Sequence, residues 1–179
     1  MNITYRNIRK KDLNDNLLTD FKRYQVVEYD WEKVNSQYEL VHNPHIEDWN
    51  EAKKSQKVNE TFKHIIKSNG LLIGAFENES LIGFAGCDSV KYGSSNHYIH
   101  LMELHVSLEH RGLGIGKALF EKCVAYGKEL NAEKLYIVAS SSKESQAAYK
   151  RLGCVHTSEI VQVLYDQDPD DIHMEFKLE

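Results

Sequence analysis

The first third of the chain contains a strand-like pattern and two helix-like patterns of hydrophobic positions, together with a segment that fits neither. Residues 2–9 alternate apolar and polar positions, which predicts a strand. Residues 11–27 carry apolar side chains at three- and four-residue steps, which predicts a helix; they are Leu13, Leu17, Leu18 and Phe21. A second helix is predicted over 48–67, ended by Asn69-Gly70. Residues 29–49 fit neither period, and Pro44 predicts a turn within them.

After Gly70 the pattern becomes more regular, with short apolar runs separated by turn residues and by two amphipathic stretches. Strands are predicted at 71–77, 81–88, 97–107, 134–139, 154–165 and 172–178, with a hairpin turn at 78–80 and helices at 115–130 and 142–152. This order predicts an α+β (mixed α/β) fold around one sheet. At 179 residues the chain suits a single domain, 1–179.

Composition narrows the possible classes of protein. The net charge of −5 argues against a nucleic-acid partner. No apolar run is long enough to span a bilayer, and the N-terminus lacks the features of a signal peptide, so no membrane partner is expected. Three dispersed cysteines favour a reducing, cytoplasmic setting, and no close Cys/His grouping indicates a metal site. The acidic residues that accumulate after residue 158 suit a cationic ligand, although simple solubility explains them as well.

Candidate chemistry begins at a glycine-rich turn between a predicted strand and the 115–130 helix. Free N–H groups at a helix start bind anions, and glycines let the backbone approach them closely. The spacing does not fit a P-loop, because Lys117 is followed by Ala118, nor a dinucleotide fingerprint, because Lys117 occupies the third glycine position. A third pattern, Arg-x-x-Gly-x-Gly, is matched by Arg111, Gly114 and Gly116. A strand-to-helix turn without a ligand remains open on this motif alone.

A second motif follows the 134–139 strand. Residues 141–154 read SSKESQAAYKRLGC, in which Ser141 and Glu144 have the spacing of a capping box. Together with the turn, this segment resembles the GCN5-related N-acetyltransferase (GNAT) family, whose second cofactor segment reads Asn-x-x-Ala-x-x-x-Tyr-x-x-x-Gly-Phe. Tyr149 and Gly153 match, whereas serines 142 and 145 replace the asparagine and the alanine, and Cys154 replaces the phenylalanine.

The resemblance covers about 71–177 and implies an acyl-CoA N-acyltransferase-like fold. That fold has a mixed, largely antiparallel, twisted sheet of about six to seven strands flanked by helices. The resemblance divides the chain into an N-terminal strand with acceptor-side helices (1–70) and a cofactor-binding core (71–179). It implies acetyl-CoA (coenzyme A) as co-substrate, with no metal. The cofactor-binding residues that it implies are Leu104, His105, Val106, Arg111, Gly112, Leu113, Gly114, Ile115, Gly116, Lys117, Ser142, Ser145 and Tyr149.

The implied reaction is direct attack of a neutral amine on the thioester, through a tetrahedral intermediate. A lysine-like amine, with a pKa of about 10.4, needs a base. Glu103 is the candidate, and His105, on the same strand face, is the reserve. The resemblance implies the backbone N–H of Val106 as oxyanion donor and Tyr149 as the acid that protonates the thiolate.

The acceptor is the part of the implied reaction that the sequence determines least. A small cationic amine is expected, and the resemblance implies that the N-terminal helices and the final loop bind it; the candidate residues are Tyr24, Tyr29, Trp31, Tyr38, Trp49, Tyr165 and Asp166. The aromatic side chains could equally belong to the core, which is the preferred interpretation for most of them. Two alternatives stay open: a non-catalytic acyl-CoA-binding or regulatory module, and an acetyltransferase acting on protein N-termini or lysines. The expected state is a monomer or homodimer.

Overall fold

A seven-stranded sheet lies at the centre of the computed structural model, which describes residues 2–179. Its strands are β1 (Ile3–Asn7), β4 (Leu71–Glu77), β5 (Ser80–Tyr92), β6 (Tyr98–Val106), β7 (Lys134–Ala139), β8 (Val155–His156) and β9 (Ile172–Lys177). The spatial order is β1-β4-β5-β6-β7-β9-β8, and every neighbouring pair is antiparallel except β6 and β7. The predicted mixed, largely antiparallel α+β sheet is confirmed.

Helices cover both faces of this sheet. One face packs against α3 (Ile115–Glu129), the long helix after the glycine-rich turn, and α4 (Lys143–Arg151) lies beside it. The other face is covered by one continuous segment made of α1 (Glu51–Gln56), a π-helical stretch (Lys57–Phe62) and α2 (Lys63–Lys67). A short α5 (Gln162–Tyr165) precedes the last strand. None of the helices within residues 2–179 is both long and apolar enough to cross a membrane.

The predicted helix over 11–27 is wrong. Only a 3₁₀ turn forms there (Lys10–Asp12), followed by further turns and by strand β2, which begins at Tyr24. Polar residues capture the backbone locally: the side-chain oxygen of Asn14 accepts a hydrogen bond from the N–H of Asn16 at 2.9 Å. Such turns compete with the helix, so Leu18 and Phe21 are buried from a loop.

Residues 24–48, most of which fit neither hydrophobic period, form a hairpin of β2 (Tyr24–Val34) and β3 (Gln37–Asp48). The expected turn at Pro44 is wrong. The chain reverses at Asn35 and Ser36, both with positive φ, as a two-residue hairpin requires. Pro44 lies inside β3 beside a bulge, where the missing N–H is tolerated. The acceptor-side helices expected over 1–70 are thus this hairpin plus the single helical segment 51–67.

The predicted strand over 154–165 is also wrong in most of its length. Only Val155–His156 pairs with β9. The side chain of Glu175 accepts hydrogen bonds from the backbone and hydroxyl of Ser158, which turns the chain away from the sheet. Val161 and Leu164 are then buried at a three-residue step, the spacing of a helical turn. The remaining predicted elements are confirmed within a few residues of their ends.

Candidate functional site

The sheet opens between its two parallel strands. β6 pairs with β7 only from Tyr98 to Leu101, while β6 itself continues to Val106. A bulge at Met102 in the pairing with β5 resets the alternation of side chains along β6. Leu104 and Val106 therefore pack towards α3, and Glu103 and His105 lie on the opposite face.

The glycine-rich turn ends where α3 begins. Gly112 and Gly114 have φ of +78° and +79°, a conformation that favours glycine, and Gly114 is the N-cap without any side-chain hydrogen bond. A Cβ built at either glycine would meet no atom within 4 Å, so this backbone borders open space. The N–H groups at the start of α3 are consequently available to an anion.

The second motif begins α4. The expected capping box at Ser141 is wrong, because the helix is capped one residue later: Ser142 Oγ accepts a hydrogen bond from the N–H of Ser145 at 3.3 Å. Ser142 is fully buried and also accepts from Gln25 Nε2 at 3.2 Å. This hydroxyl has a role within the protein, holding strand β2 against the start of α4.

A cleft of about 650 Å³ joins the two motifs with the open end of β6. Ten of the residues expected to bind the cofactor line it: Leu104, His105, Val106, Arg111, Gly112, Gly114, Gly116, Lys117, Ser145 and Tyr149. Three do not line it. Leu113 points into solvent, the side chain of Ile115 is in the core, and Ser142 is the buried cap.

Arg23, which directly precedes strand β2, and Gln25 within that strand also line the cleft, although the sequence did not indicate them. Arg23 is only 9% exposed and is held by Glu47 Oε2 at 2.5 Å and by Gln25 Oε1 at 3.1 Å. Burial, and then the nearby charge of Arg23, lower the pKa of Arg111, whose Nε donates to the carbonyl of Val106 at 3.2 Å. With Arg151 of α4, three arginine side chains therefore line the same cleft, which favours an anionic ligand.

Glu103 lies in a small polar cluster on the other face of β6. Its Oε2 is 2.9 Å from His105 Nε2, and its Oε1 accepts a hydrogen bond from Lys57 Nζ in the π-helical stretch. Burial raises the pKa of Glu103, but His105 and then Lys57 outweigh it, so the net pKa lies below the ordinary value. Glu103 is ionised and nearly fully buried, whereas the side chain of His105 is 23% exposed and reaches the cleft.

Tyr149 lines the cleft from α4 and is partly buried. Burial, followed by the proximity of Cys154 and Glu103, raises the pKa of its phenol. The hydroxyl is thus protonated at neutral pH and makes no hydrogen bond to residues 2–179. A protonated phenol beside an open cleft can donate a proton to a bound group.

A second cavity, of about 870 Å³, lies between the hairpin, the end of β7 and the segment before β9. We call it the hairpin cavity; it is lined by Asp30, Trp31, Glu32, Lys33, Tyr38, Asn43, Ser141, Ile160, Gln162, Tyr165, Pro169, Asp170, Asp171 and His173. Of the residues expected to meet the acceptor, it brings together Trp31, Tyr38 and Tyr165. Asp166 does not line it, and Trp49 instead stacks on His105, with ring centroids 4.9 Å apart.

No group of three or more metal-binding side chains occurs in the part of the chain that the structure describes. The three cysteines, Cys87, Cys123 and Cys154, are buried and free. Burial raises the pKa of the Cys87 thiol well above its usual value and that of Cys154 to about 12, which disfavours the reactive thiolate.

A parallel pair of strands that separates beside an uncapped, glycine-bordered helix start defines an acyl-CoA N-acyltransferase-like fold. The family model described as "Acetyltransferase (GNAT) family" matches residues 31–154. The chain belongs to this family of acetyltransferases.

Several solved structures share the fold, two of them over nearly the whole chain. Nourseothricin acetyltransferase is 17% identical, with a TM-score of 0.72 and 99% of each chain covered. A putative streptothricin acetyltransferase from Bacillus anthracis str. Ames, in complex with acetyl coenzyme A, is 17% identical, with a TM-score of 0.73 and 100% of each chain covered. An aminoglycoside 6'-N-acetyltransferase complexed with coenzyme A is 15% identical, with a TM-score of 0.55 over 69% of this chain and 81% of that one. A comparison with curated proteins gave no match.

Proposed function

We propose that this protein transfers an acetyl group from acetyl-CoA to a primary amine of a small cationic molecule, by direct attack of the amine. The observation that carries the proposal is the cleft, which has Tyr149 on one wall and His105, backed by Glu103, on another. Acetyl-CoA supplies an activated thioester carbonyl, at which a C–N bond forms as the C–S bond breaks. The names of the similar structures, which include streptothricin and aminoglycoside acetyltransferases, support an amine acceptor of this kind.

The glycine-rich turn fits the pyrophosphate of coenzyme A. An added Cβ at Gly112 or Gly114 would fill the space that an anion needs, and the helix start beyond them has unused N–H donors. Arg111, Lys117 and Arg23 contribute positive charge to the same cleft. Ser145 and Tyr149 on α4 form the facing wall.

For the base, we propose that Glu103 and His105 act as a pair. His105 is the member that lines the cleft, so it takes the proton from the incoming ammonium, directly or through water. Glu103 accepts a hydrogen bond from the same ring and stabilises the positive charge that the ring acquires. This reverses the order expected from the sequence, in which Glu103 was the first candidate and His105 the reserve.

The oxyanion donor in this proposal is the backbone N–H of Val106. The N–H of Ser107 donates to Ile82 on β5 at 2.8 Å, and the directions of N–H groups alternate along a strand. The N–H of Val106 therefore points to the other side, where β6 has no pairing with β7 beyond Leu101. A donor of this kind contributes about 10² to 10³ in rate.

Tyr149 is the proposed general acid. Its phenol is protonated at neutral pH, because burial raises its pKa, and its hydroxyl is not engaged by another residue between 2 and 179. It can therefore deliver a proton to the departing thiolate of coenzyme A, whose pKa is near that of a free thiol, about 8.5.

The test measures thiol release from acetyl-CoA with a panel of amines, namely spermidine, lysine, an aminoglycoside and a streptothricin. A reaction without amine corrects for hydrolysis. We expect amine-dependent turnover that falls about 10²- to 10⁴-fold in Tyr149→Phe with little change in the Kd for acetyl-CoA. Tight binding of acetyl-CoA with no turnover on any amine would overturn the proposal and favour a non-catalytic acyl-CoA-binding module.

A further inference from the structure

The backbone around Arg23 is attached to the end of strand β6. The N–H of Lys22 donates to Ser107 Oγ at 2.9 Å, and the N–H of Leu108 donates to the carbonyl of Lys22 at 2.9 Å. The carbonyl of Arg23 itself accepts a hydrogen bond from the N–H of Trp49 at 3.1 Å. Arg23 therefore has a fixed position beside the strand whose last residues line the cleft.

The guanidinium of Arg23 is buried but incompletely hydrogen-bonded. Only 9% of the residue is exposed, and the side chain donates to Glu47 Oε2 at 2.5 Å and to Gln25 Oε1 at 3.1 Å. Only two of the five N–H groups of this guanidinium therefore have partners within residues 2–179. A buried donor without an acceptor is unfavourable. Because Arg23 lines the cleft, its unused donors can meet a ligand that binds there.

Arg23 is also held close to Tyr149. The Gln25 side chain that accepts from Arg23 donates in turn to Ser142 Oγ at 3.2 Å, and Ser142 is the N-cap of α4. Tyr149 follows on the same helix, about two turns later. Burial raises the pKa of the Tyr149 phenol, and the positive charge of Arg23 partly opposes that rise. The charge of Arg23 therefore acts on the hydroxyl that we propose as general acid.

Burial distinguishes Arg23 from the other cations of the cleft. Arg111, Lys117 and Arg151 also line the cleft, but all three are exposed to solvent. Water and salt screen exposed charges, whereas a buried charge acts through a medium of lower dielectric constant. Arg23 is thus the cation best suited to stabilise charge inside the cleft.

The proposed reaction creates negative charge beside Tyr149. As the C–S bond breaks, its electron pair goes to sulfur, and the proton of the Tyr149 hydroxyl moves to that sulfur. One negative charge is then carried by the sulfur or by the phenol oxygen, wherever the proton lies at that moment. Such a charge is costly in a buried site without a partner. A fixed cation near both atoms stabilises it in either position.

We propose that Arg23 stabilises the thiolate of coenzyme A and the phenolate of Tyr149 as the acetyl group leaves, which makes Arg23 a further catalytic residue. This inference rests on the proposed acetyltransferase function. Glu47 and Gln25 hold the guanidinium in place, and its unused N–H groups meet the sulfur. The other charged or titratable side chains that line the cleft are His105, Arg111, Lys117, Glu144 and Arg151.

The experiment compares the affinities for coenzyme A and for desulfo-coenzyme A, which lacks the thiol, by calorimetry from about pH 6.5 to about pH 9.5. A free thiol has a pKa of about 8.5, and a nearby cation lowers the pKa of a bound one. The affinity for coenzyme A relative to the desulfo compound should therefore rise with pH, by at least about 10-fold. Titrations of protein groups that do not sense the sulfur cancel in this ratio, and no turnover is needed.

Arg23→Met should reduce this rise to less than about 3-fold and lower kcat with saturating acetyl-CoA by about 10²-fold, whereas Arg23→Lys should retain most of the rise. Lys117→Gln is the matched control. It removes an exposed cation from the same cleft, so it should weaken both compounds alike and leave the rise intact. If Arg23→Met fails to fold, Arg23→Met/Glu47→Gln replaces it, because that variant leaves no unpaired carboxylate.

Each outcome decides a different point. A rise that is absent from the unmodified protein, unchanged in the Arg23 variants, or lost equally in Lys117→Gln would overturn the role of Arg23. Turnover of an amine would leave the acetyltransferase function standing in each of these cases. A rise that depends on Arg23, without turnover on any amine, would contradict only the proposed function.

Discussion

His105 Nε2 lies 2.9 Å from Glu103 Oε2, on the same face of β6 and two residues along the strand. The other carboxylate oxygen of Glu103 is bound by Lys57 from the helical segment that covers this face. A histidine that reaches a cleft while its ring is oriented by a buried, ionised carboxylate is well placed to exchange protons with a ligand. Strand β6 by itself brings Glu103 and His105 together, whereas Lys57 reaches Glu103 only because the helical segment packs on this face of the sheet.

Substitutions of this pair should affect turnover to different extents. His105→Gln should lower kcat by about 10²- to 10⁴-fold, because the group that meets the amine is lost. Glu103→Gln keeps the shape and loses only the charge, so a smaller decrease is expected. The measurement is kcat against pH with saturating acetyl-CoA; if Glu103→Gln were the more damaging change, Glu103 itself would be the base.

Removing the charge of Lys57 should destabilise the fold at neutral pH. In Lys57→Met, Glu103 stays buried with one partner fewer, at a cost of about 3 kcal/mol in the free energy of unfolding. The folded-state pKa of Glu103 lies below its ordinary value, so its contribution is present above about pH 4 and is lost as pH falls further.

Urea unfolding at pH 7 and at pH 3.5 tests this, with Lys57→Arg as the control that keeps the charge. The difference between Lys57→Met and the unmodified protein should shrink at the lower pH. A difference independent of pH would mean that Lys57 contributes through packing alone.

The glycine-rich turn should be intolerant of an acidic side chain. Gly114→Asp places a negative charge at the start of α3, and the Kd for acetyl-CoA should rise at least about 100-fold. Gly114→Ala is the matched control, because it shares the added Cβ and the strain of a positive φ with the aspartate variant but lacks the charge. Calorimetry should find the aspartate variant much weaker than the alanine variant; equal affinities would attribute the effect to the added Cβ and the backbone strain rather than to the charge.

Asp171→Asn should stabilise the protein at neutral pH. The folded-state pKa of Asp171 is raised to about 6, so the unfavourable charge appears as pH rises from about 4 to 6. Above pH 6 the variant should gain about 1–2 kcal/mol, and below pH 4 the gain should disappear. Thermal unfolding across this range checks the sign, and a gain largest at low pH would contradict it.

The second half of the chain was the more predictable one because its signals are local. A strand, a glycine-rich turn and an amphipathic helix follow one another around Gly114, and positions 115, 119 and 123 are all buried as their spacing predicts. Tyr149 reaches the same cleft because α4 begins close to its expected position. The cap that begins α4 likewise joins residues close in the sequence, Ser142 and Ser145.

The N-terminal third could not be predicted in the same way. Leu13, Leu17 and Phe21 have helical spacing, but turns formed by neighbouring polar residues prevail. The position of Arg23 in the cleft was therefore not predicted, because it depends on a hairpin whose first strand begins inside the predicted helix. Lys57 and Glu103 are 46 residues apart in the sequence, and no local pattern predicts their contact.

Within residues 2–179, the four residue pairs between β6 and β7 are the only backbone ladder that joins one half of the sheet, β1-β4-β5-β6, to the other, β7-β9-β8. Because so few backbone hydrogen bonds cross this seam, we expect the tilt between the two half-sheets to influence the width of the cleft beside it. A ligand that contacts both β6 and α4 would then restrict this tilt. Amide protons at the seam should then exchange with solvent more slowly when coenzyme A is bound.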